Sequence, residues 1–128
     1  MKIQIAPSIL SADFGRLNEE IALVEPYSDR LHFDVMDGHF VPNISFGAPV
    51  LKWIKTKLPI DVHLMIETPE RFCDDFVKGG ARSIIVHEEA CKDLRKVLEY
   101  LRGLGVGVGV SIKPKTPVSK IAGVLSLV

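Results

Sequence analysis

Two short stretches hold the residues best suited to chemistry. His32-Phe33-Asp34-Val35-Met36-Asp37-Gly38 is answered from residue 61 onward by Asp61-Val62-His63-Leu64-Met65. If each is a β-strand, alternation sends His32, Asp34 and Met36 to one face of the first and Asp61, His63 and Met65 to one face of the second. Two imidazoles and a carboxylate then point the same way from neighbouring strands. They make up most of a tetrahedral divalent-metal site, and the carboxylate is also placed to move a proton. The same side chains could instead form a hydrogen-bonded structural cluster. The flanking Phe33, Val35, Val62 and Leu64 favour the metal reading. They bury the opposite face, so inward polar groups need partners, and a cation would satisfy all three. These donor types suit zinc, iron, manganese and cobalt alike. Asp37-Gly38 reads as a turn rather than a ligand.

The elements that must position these groups alternate along the whole chain. Residues 3–10 read as a first strand and residues 13–26 as a helix, with Leu17, Ile21 and Val24 on one stripe and Asp13 as its cap. Strands are then expected at 30–36, 60–66, 83–87 and 106–112. Helices are expected at 47–58, from Thr68-Pro69-Glu70 to Gly79-Gly80, at 92–104 and at 117–127. Five such strand–helix units of about 22 to 26 residues predict a parallel sheet with helices outside. In 106–112, Val106, Val108 and Val110 alternate with Gly107, Gly109 and Ser111. One bulky and one nearly bare face suit a strand between outer helices and a crowded barrel interior better than a strand in an open sheet. No glycine-rich phosphate loop follows the first strand, which removes the common nucleotide-binding folds.

Composition narrows the partners. Sixteen basic and sixteen acidic residues cancel, so no net charge steers the chain towards nucleic acid or an anionic membrane. Lys52, Lys55 and Lys57 read as a solvated face. Cys73 and Cys91 form no ligand pattern and read as free thiols of a reducing compartment. No apolar run approaches a membrane span and no leader-like segment opens the chain, so the cytoplasm is the expected location.

The chain resembles the ribulose-phosphate 3-epimerases, a (β/α)8 TIM barrel family. The matching residues are Ala6-Pro7-Ser8-Ile9-Leu10-Ser11-Ala12-Asp13-Phe14, the run from His32 through Pro42-Asn43, and Asp61-Val62-His63-Leu64-Met65. Val86-His87 with Glu89 and Pro114-Lys115-Thr116-Pro117 also fit. The resemblance implies that His32, Asp34 and His63 hold a divalent metal, usually zinc or iron in that family. It implies that Asp34 is a catalytic base, that Ser8 and His63 contact substrate, and that Met36 and Met65 wall the reacting carbons. Related decarboxylases carry lysine where His63 stands, which favours the epimerase. The implied reaction is epimerisation at C3 of D-ribulose 5-phosphate to D-xylulose 5-phosphate by two-base proton transfer through an enediolate.

Two departures accompany the resemblance. Lys113 stands where the family commonly has asparagine. Family members are also nearly twice as long, a barrel of this class needing about 250 residues. The chain is therefore expected to be the N-terminal part of a single barrel domain, residues 1–128, lacking the second catalytic aspartate and the phosphate site. By itself it should be inactive, bind metal weakly, and associate through open strand edges or as a homo-oligomer. The alternatives are an epimerase of another ketose phosphate, such as a hexulose 6-phosphate, and a non-catalytic assembly piece derived from the barrel.

Overall fold

A computed structural model describes residues 3–128. Four parallel strands, β1 (Leu31–Met36), β2 (Ile60–Met65), β3 (Ser83–His87) and β4 (Gly107–Ser111), lie side by side in chain order. Helices α1 (Leu17–Val24), α2 (Ala48–Leu51), α3 (Cys73–Lys78) and α4 (Leu94–Gly103) alternate with them. Parallel strands joined through helices in chain order leave sequential strands adjacent, which is how part of a (β/α)8 barrel is built.

The alternation within each strand divides the molecule. Phe33, Val35, Val62, Leu64, Ile84 and Val86 are buried and form the core with Ile21 of α1, Leu51 of α2, Phe76 of α3 and Leu98 and Leu101 of α4. Phe33 is at its centre, fully buried, with its ring 4.4 Å from that of Phe46 and 6.5 Å from that of Phe76. The pairing register places His32 opposite Asp61, Asp34 opposite His63 and Met36 opposite Met65, all on the other, inner face. The bare face of β4 has a steric cause. A Cβ on Gly107 would stand 2.8 Å from the Ser83 Cβ, and one on Gly109 would stand 2.8 Å from Ile85 Cγ1.

Several elements are shorter than the sequence pattern predicts. Residues 3–10 do not form a full strand. The Ile5 carbonyl accepts from the Asp29 and Arg30 N–H groups and the Pro7 carbonyl from His32 N–H, with one parallel bridge between Ser8 and His32. Pro7 has no N–H to continue a ladder, and the Ser8 hydroxyl turns the chain by accepting from Leu10 N–H. The helix expected over 13–26 is divided into a 3-10 turn at Phe14–Arg16 capped by Asp13, α1, and a second 3-10 turn at Glu25–Tyr27 containing Pro26. The helix expected over 47–58 shrinks to α2, because side chains capture the N–H groups beyond it. Lys55 N–H donates to Asn18 Oδ1 and Leu58 N–H to Thr56 Oγ1. Residues 117–127 form 3-10 turns, Val118–Lys120 and Ala122–Leu127, instead of an α-helix. Glycine endings fall as expected, with Gly80 and Gly105 at positive φ after α3 and α4.

At the N-terminal end of the strands the inner face is closed by an ionic cluster. The Arg30 guanidinium grips both oxygens of Asp61 and donates to Ser83 Oγ at 3.1 Å, and the Ser83 hydroxyl also donates to Asp61. Asp61 is thus the partner of Arg30, although it shares its face with His63. Burial alone would raise the Asp61 carboxyl, but the bonds from Arg30 and Ser83 outweigh it and hold it below the ordinary value. A depressed folded-state pKa stabilises above the unfolded value of about 4 and is lost as pH falls through the folded one. Asp61→Asn should therefore destabilise by about 2 kcal/mol at neutral pH, less than a fully buried pair because Arg30 stays partly exposed. Urea titrations at pH 7 and pH 3 check this: the gap between variant and parent should narrow in acid. A gap that widens in acid would contradict the assignment.

Candidate metal centre

Above the ionic cluster, β1 and β2 bring His32, Asp34 and His63 together. One nitrogen of each imidazole and one oxygen of the carboxylate all lie within 4.8 Å of one another. His32 Nε2 is 3.2 Å and His63 Nδ1 2.9 Å from the same oxygen, Asp34 Oδ1. The Ser8 hydroxyl donates to the other oxygen, Oδ2. The turn that ends the 5–8 segment thus serves the site directly. Burial by itself would raise the Asp34 carboxyl. The hydrogen bonds from His32, His63 and Ser8 outweigh it and hold Asp34 far below the usual carboxylate range, so it is ionised at neutral pH. His32 is raised, first through its hydrogen bond to Asp34, against the opposing effect of burial.

Loop 37–45 is fastened to this end of β1. Asp37 Oδ1 accepts from the His39 and Phe40 N–H groups and Oδ2 from Glu67 N–H, while Gly38 takes φ +75°. Asp37 therefore shapes the turn, as the Asp-Gly pair suggests. Ser45 Oγ donates to the Asp34 carbonyl at 2.8 Å and accepts from Met36 N–H at 3.0 Å. Met36 and Met65 are half-buried and face each other across β1 and β2, two register positions beyond the Asp34–His63 pair.

Strand pattern alone did not single out His87, at the end of β3. Its Nε2 lies 2.9 Å from His63 Nε2, and the two rings meet edge to edge with centroids 5.0 Å apart and planes at 20°. The available signal was parity: His87 shares its face with Ser83, which binds the inward Asp61. Phe40 packs on its ring at 5.0 Å. Lys113 Nζ lies 3.8 Å from the Phe40 ring centroid and 3.2 Å from the Phe40 carbonyl oxygen. The departure at position 113 thus ties loop 37–45 to the far side of the sheet. Glu89 accepts from Lys113 N–H at 2.6 Å and from the Thr116 hydroxyl. Burial first, and the neighbouring His63 second, pull His87 below its ordinary value, against the pull of Glu89.

The donor set fits a divalent cation: two imidazoles and an ionised carboxylate converge on one point of a face walled from the helices. Among the described residues no fourth histidine, cysteine or carboxylate joins them.

Fold and site together define a parallel βα protein that gathers a His–Asp–His cluster on the inner face of its strands. The chain belongs to the ribulose-phosphate 3-epimerase family, whose sequence profile matches residues 4–128. It is 46% identical over 127 residues to a ribulose-phosphate 3-epimerase of Treponema pallidum (strain Nichols), covering 97% of this chain and 58% of the relative. Against that of Bacillus subtilis (strain 168) it is 49% identical over 122 residues, covering 93% and 56%. Against that of Synechocystis sp. (strain ATCC 27184 / PCC 6803 / Kazusa) it is 48% identical over 128 residues, covering 96% and 56%. The chain spans somewhat more than half the length of these relatives.

Proposed function

We propose that these 128 residues form the N-terminal part of a single (β/α)8 barrel and contribute one side of the active site of a ribulose-phosphate 3-epimerase. The observation that carries this is the convergence of His32, Asp34 and His63 in a chain of that family. The three side chains would hold a divalent cation, zinc or iron by the family resemblance, which would supply Lewis-acid stabilisation of negative charge on the substrate oxygens. Asp34, ionised and fixed by three hydrogen-bond donors, takes the C3 proton of the ketopentose phosphate. Ser8 orients the carboxylate and contacts substrate, and His63 helps to bind it. Met36 and Met65 wall the reacting carbons. Inversion at C3 needs a second proton-transfer group on the opposite face of the enediolate, for which the family resemblance implies an aspartate of the seventh strand that would also be the fourth metal ligand. Among the described residues Asp34 is the one group placed to move that proton and only three ligands converge on the cation site, so alone they bind the cation weakly and do not turn over.

Among the described residues β4 has a partner on one side only, β3, and an open edge of this kind supports association with another chain. The free Cys73 and Cys91 agree with a cytoplasmic setting. No described helix is long and apolar enough to cross a membrane.

The test is a calorimetric titration of the 128-residue chain with Zn2+ beside a coupled epimerase assay. Weak binding, lost in a variant carrying both His32→Ala and His63→Ala, and no turnover are the expected results. Zn2+ binding unchanged in that double variant would refute the metal site, and turnover by the isolated chain would refute the two-sided mechanism.

A further inference from the structure

The contact between His63 and His87 has no role in the chemistry above, yet it fixes the state of a proposed ligand. With both rings neutral, His63 Nδ1, at 2.9 Å, donates to the Asp34 carboxylate at Oδ1 and leaves His63 Nε2 with a lone pair. That lone pair faces His87 Nε2 at 2.9 Å, so His87 donates from Nε2. The His87 Nδ1 atom is then a bare acceptor. It is buried without a hydrogen-bond partner and stands 3.4 Å from the Glu89 Oε2 atom, another acceptor. This arrangement satisfies Asp34 and leaves a mismatch at Glu89.

Offering His63 Nδ1 to a cation reverses every step. The nitrogen that coordinates must give up its proton, and the other ring nitrogen then carries one. With the proton on His63 Nε2, His87 must accept there and carry its own proton on Nδ1, facing Glu89. We propose that His87 is a positioning residue, and that it and His63 form a coupled tautomer pair whose second state, stabilised by Glu89, opens His63 Nδ1 to a divalent cation. The proton count balances by exchange with water. His63 loses one at Nδ1 and gains one at Nε2, His87 loses one at Nε2 and gains one at Nδ1, and neither ring changes charge. The edge-to-edge alignment of the two rings, with Phe40 packed on His87 and Lys113 beyond it, keeps the two Nε2 atoms facing each other.

This inference rests on His63 being a metal ligand, and its test separates the two. Long-range 1H–15N spectra of the labelled chain report the tautomer of each histidine with and without Zn2+. Without metal, His63 carries its proton on Nδ1 and His87 on Nε2; with Zn2+ both exchange positions. His87→Phe keeps an aromatic ring against Phe40 but removes the acceptor, and it weakens Zn2+ binding about 10–100-fold. His87→Gln offers an amide oxygen to His63 and an N–H to Glu89 and restores most of the affinity. A wild-type chain that takes no Zn2+ refutes the metal reading and the relay with it. A chain that binds Zn2+ while His87 keeps its proton on Nε2 refutes the relay alone, as does a His87→Gln variant as weak as His87→Phe. The wild-type spectra decide the matter even where the phenylalanine variant fails to fold.

Discussion

Asp34→Asn in a full-length barrel carrying this segment is expected to reduce turnover by at least about 10²-fold, and up to about 10⁴-fold, from loss of the proposed general base alone. Loss of the negative charge at the proposed metal-ligating oxygen adds to this. The fold should survive, because asparagine has the same shape and the Ser8 hydroxyl can rotate to accept from its amide. Steady-state assays at saturating metal, beside thermal unfolding, check the pair of outcomes. Asp37→Asn is the control. Its oxygens hold the loop through the N–H groups of His39, Phe40 and Glu67, so it should lower stability by about 1 kcal/mol or more with a far smaller loss of turnover. Equal losses of turnover at both positions would remove Asp34 from the role of base.

The largest effect on stability is expected from Phe33→Ala. The ring is fully buried between the sheet and the helices, in contact with the rings of Phe46 and Phe76. Removing it takes away its transfer free energy and leaves a cavity that rigid β-sheet backbone cannot collapse around. The cost is about 3–5 kcal/mol, a large share of the roughly 5–15 kcal/mol that holds a typical domain folded. Phe14, which meets Phe46 edge-on at 5.1 Å but is 50% exposed, is the comparison. Phe14→Ala should cost much less, and urea denaturation of both variants would measure the difference. Similar losses would mean that the core is not centred on β1 and β2.

The inward set His32, Asp34 and His63 and the outward set Phe33, Val35, Val62 and Leu64 were legible in the sequence. Strand alternation has a period of two, so once the apolar residues are buried the polar ones have one direction left. The same rule made the glycine face of β4 readable as a crowded interior, where Ser83 and Ile85 now lie. Parallel pairing and element order followed from the regular strand–helix spacing.

Element lengths were not legible, because local competitors decided them. Pro7 and the Ser8 hydroxyl end the pairing of the first segment, and Asn18 and Thr56 take the N–H groups that would have extended α2. Nor could spacing alone show that Asp61 is held by Arg30, that Lys113 reaches Phe40 across the sheet, or that His63 touches His87. Parity assigns each of these side chains to a face. How far a side chain reaches along that face, and which neighbour it meets there, depends on the relative stagger of strands far apart in the chain, and only the folded sheet sets that stagger.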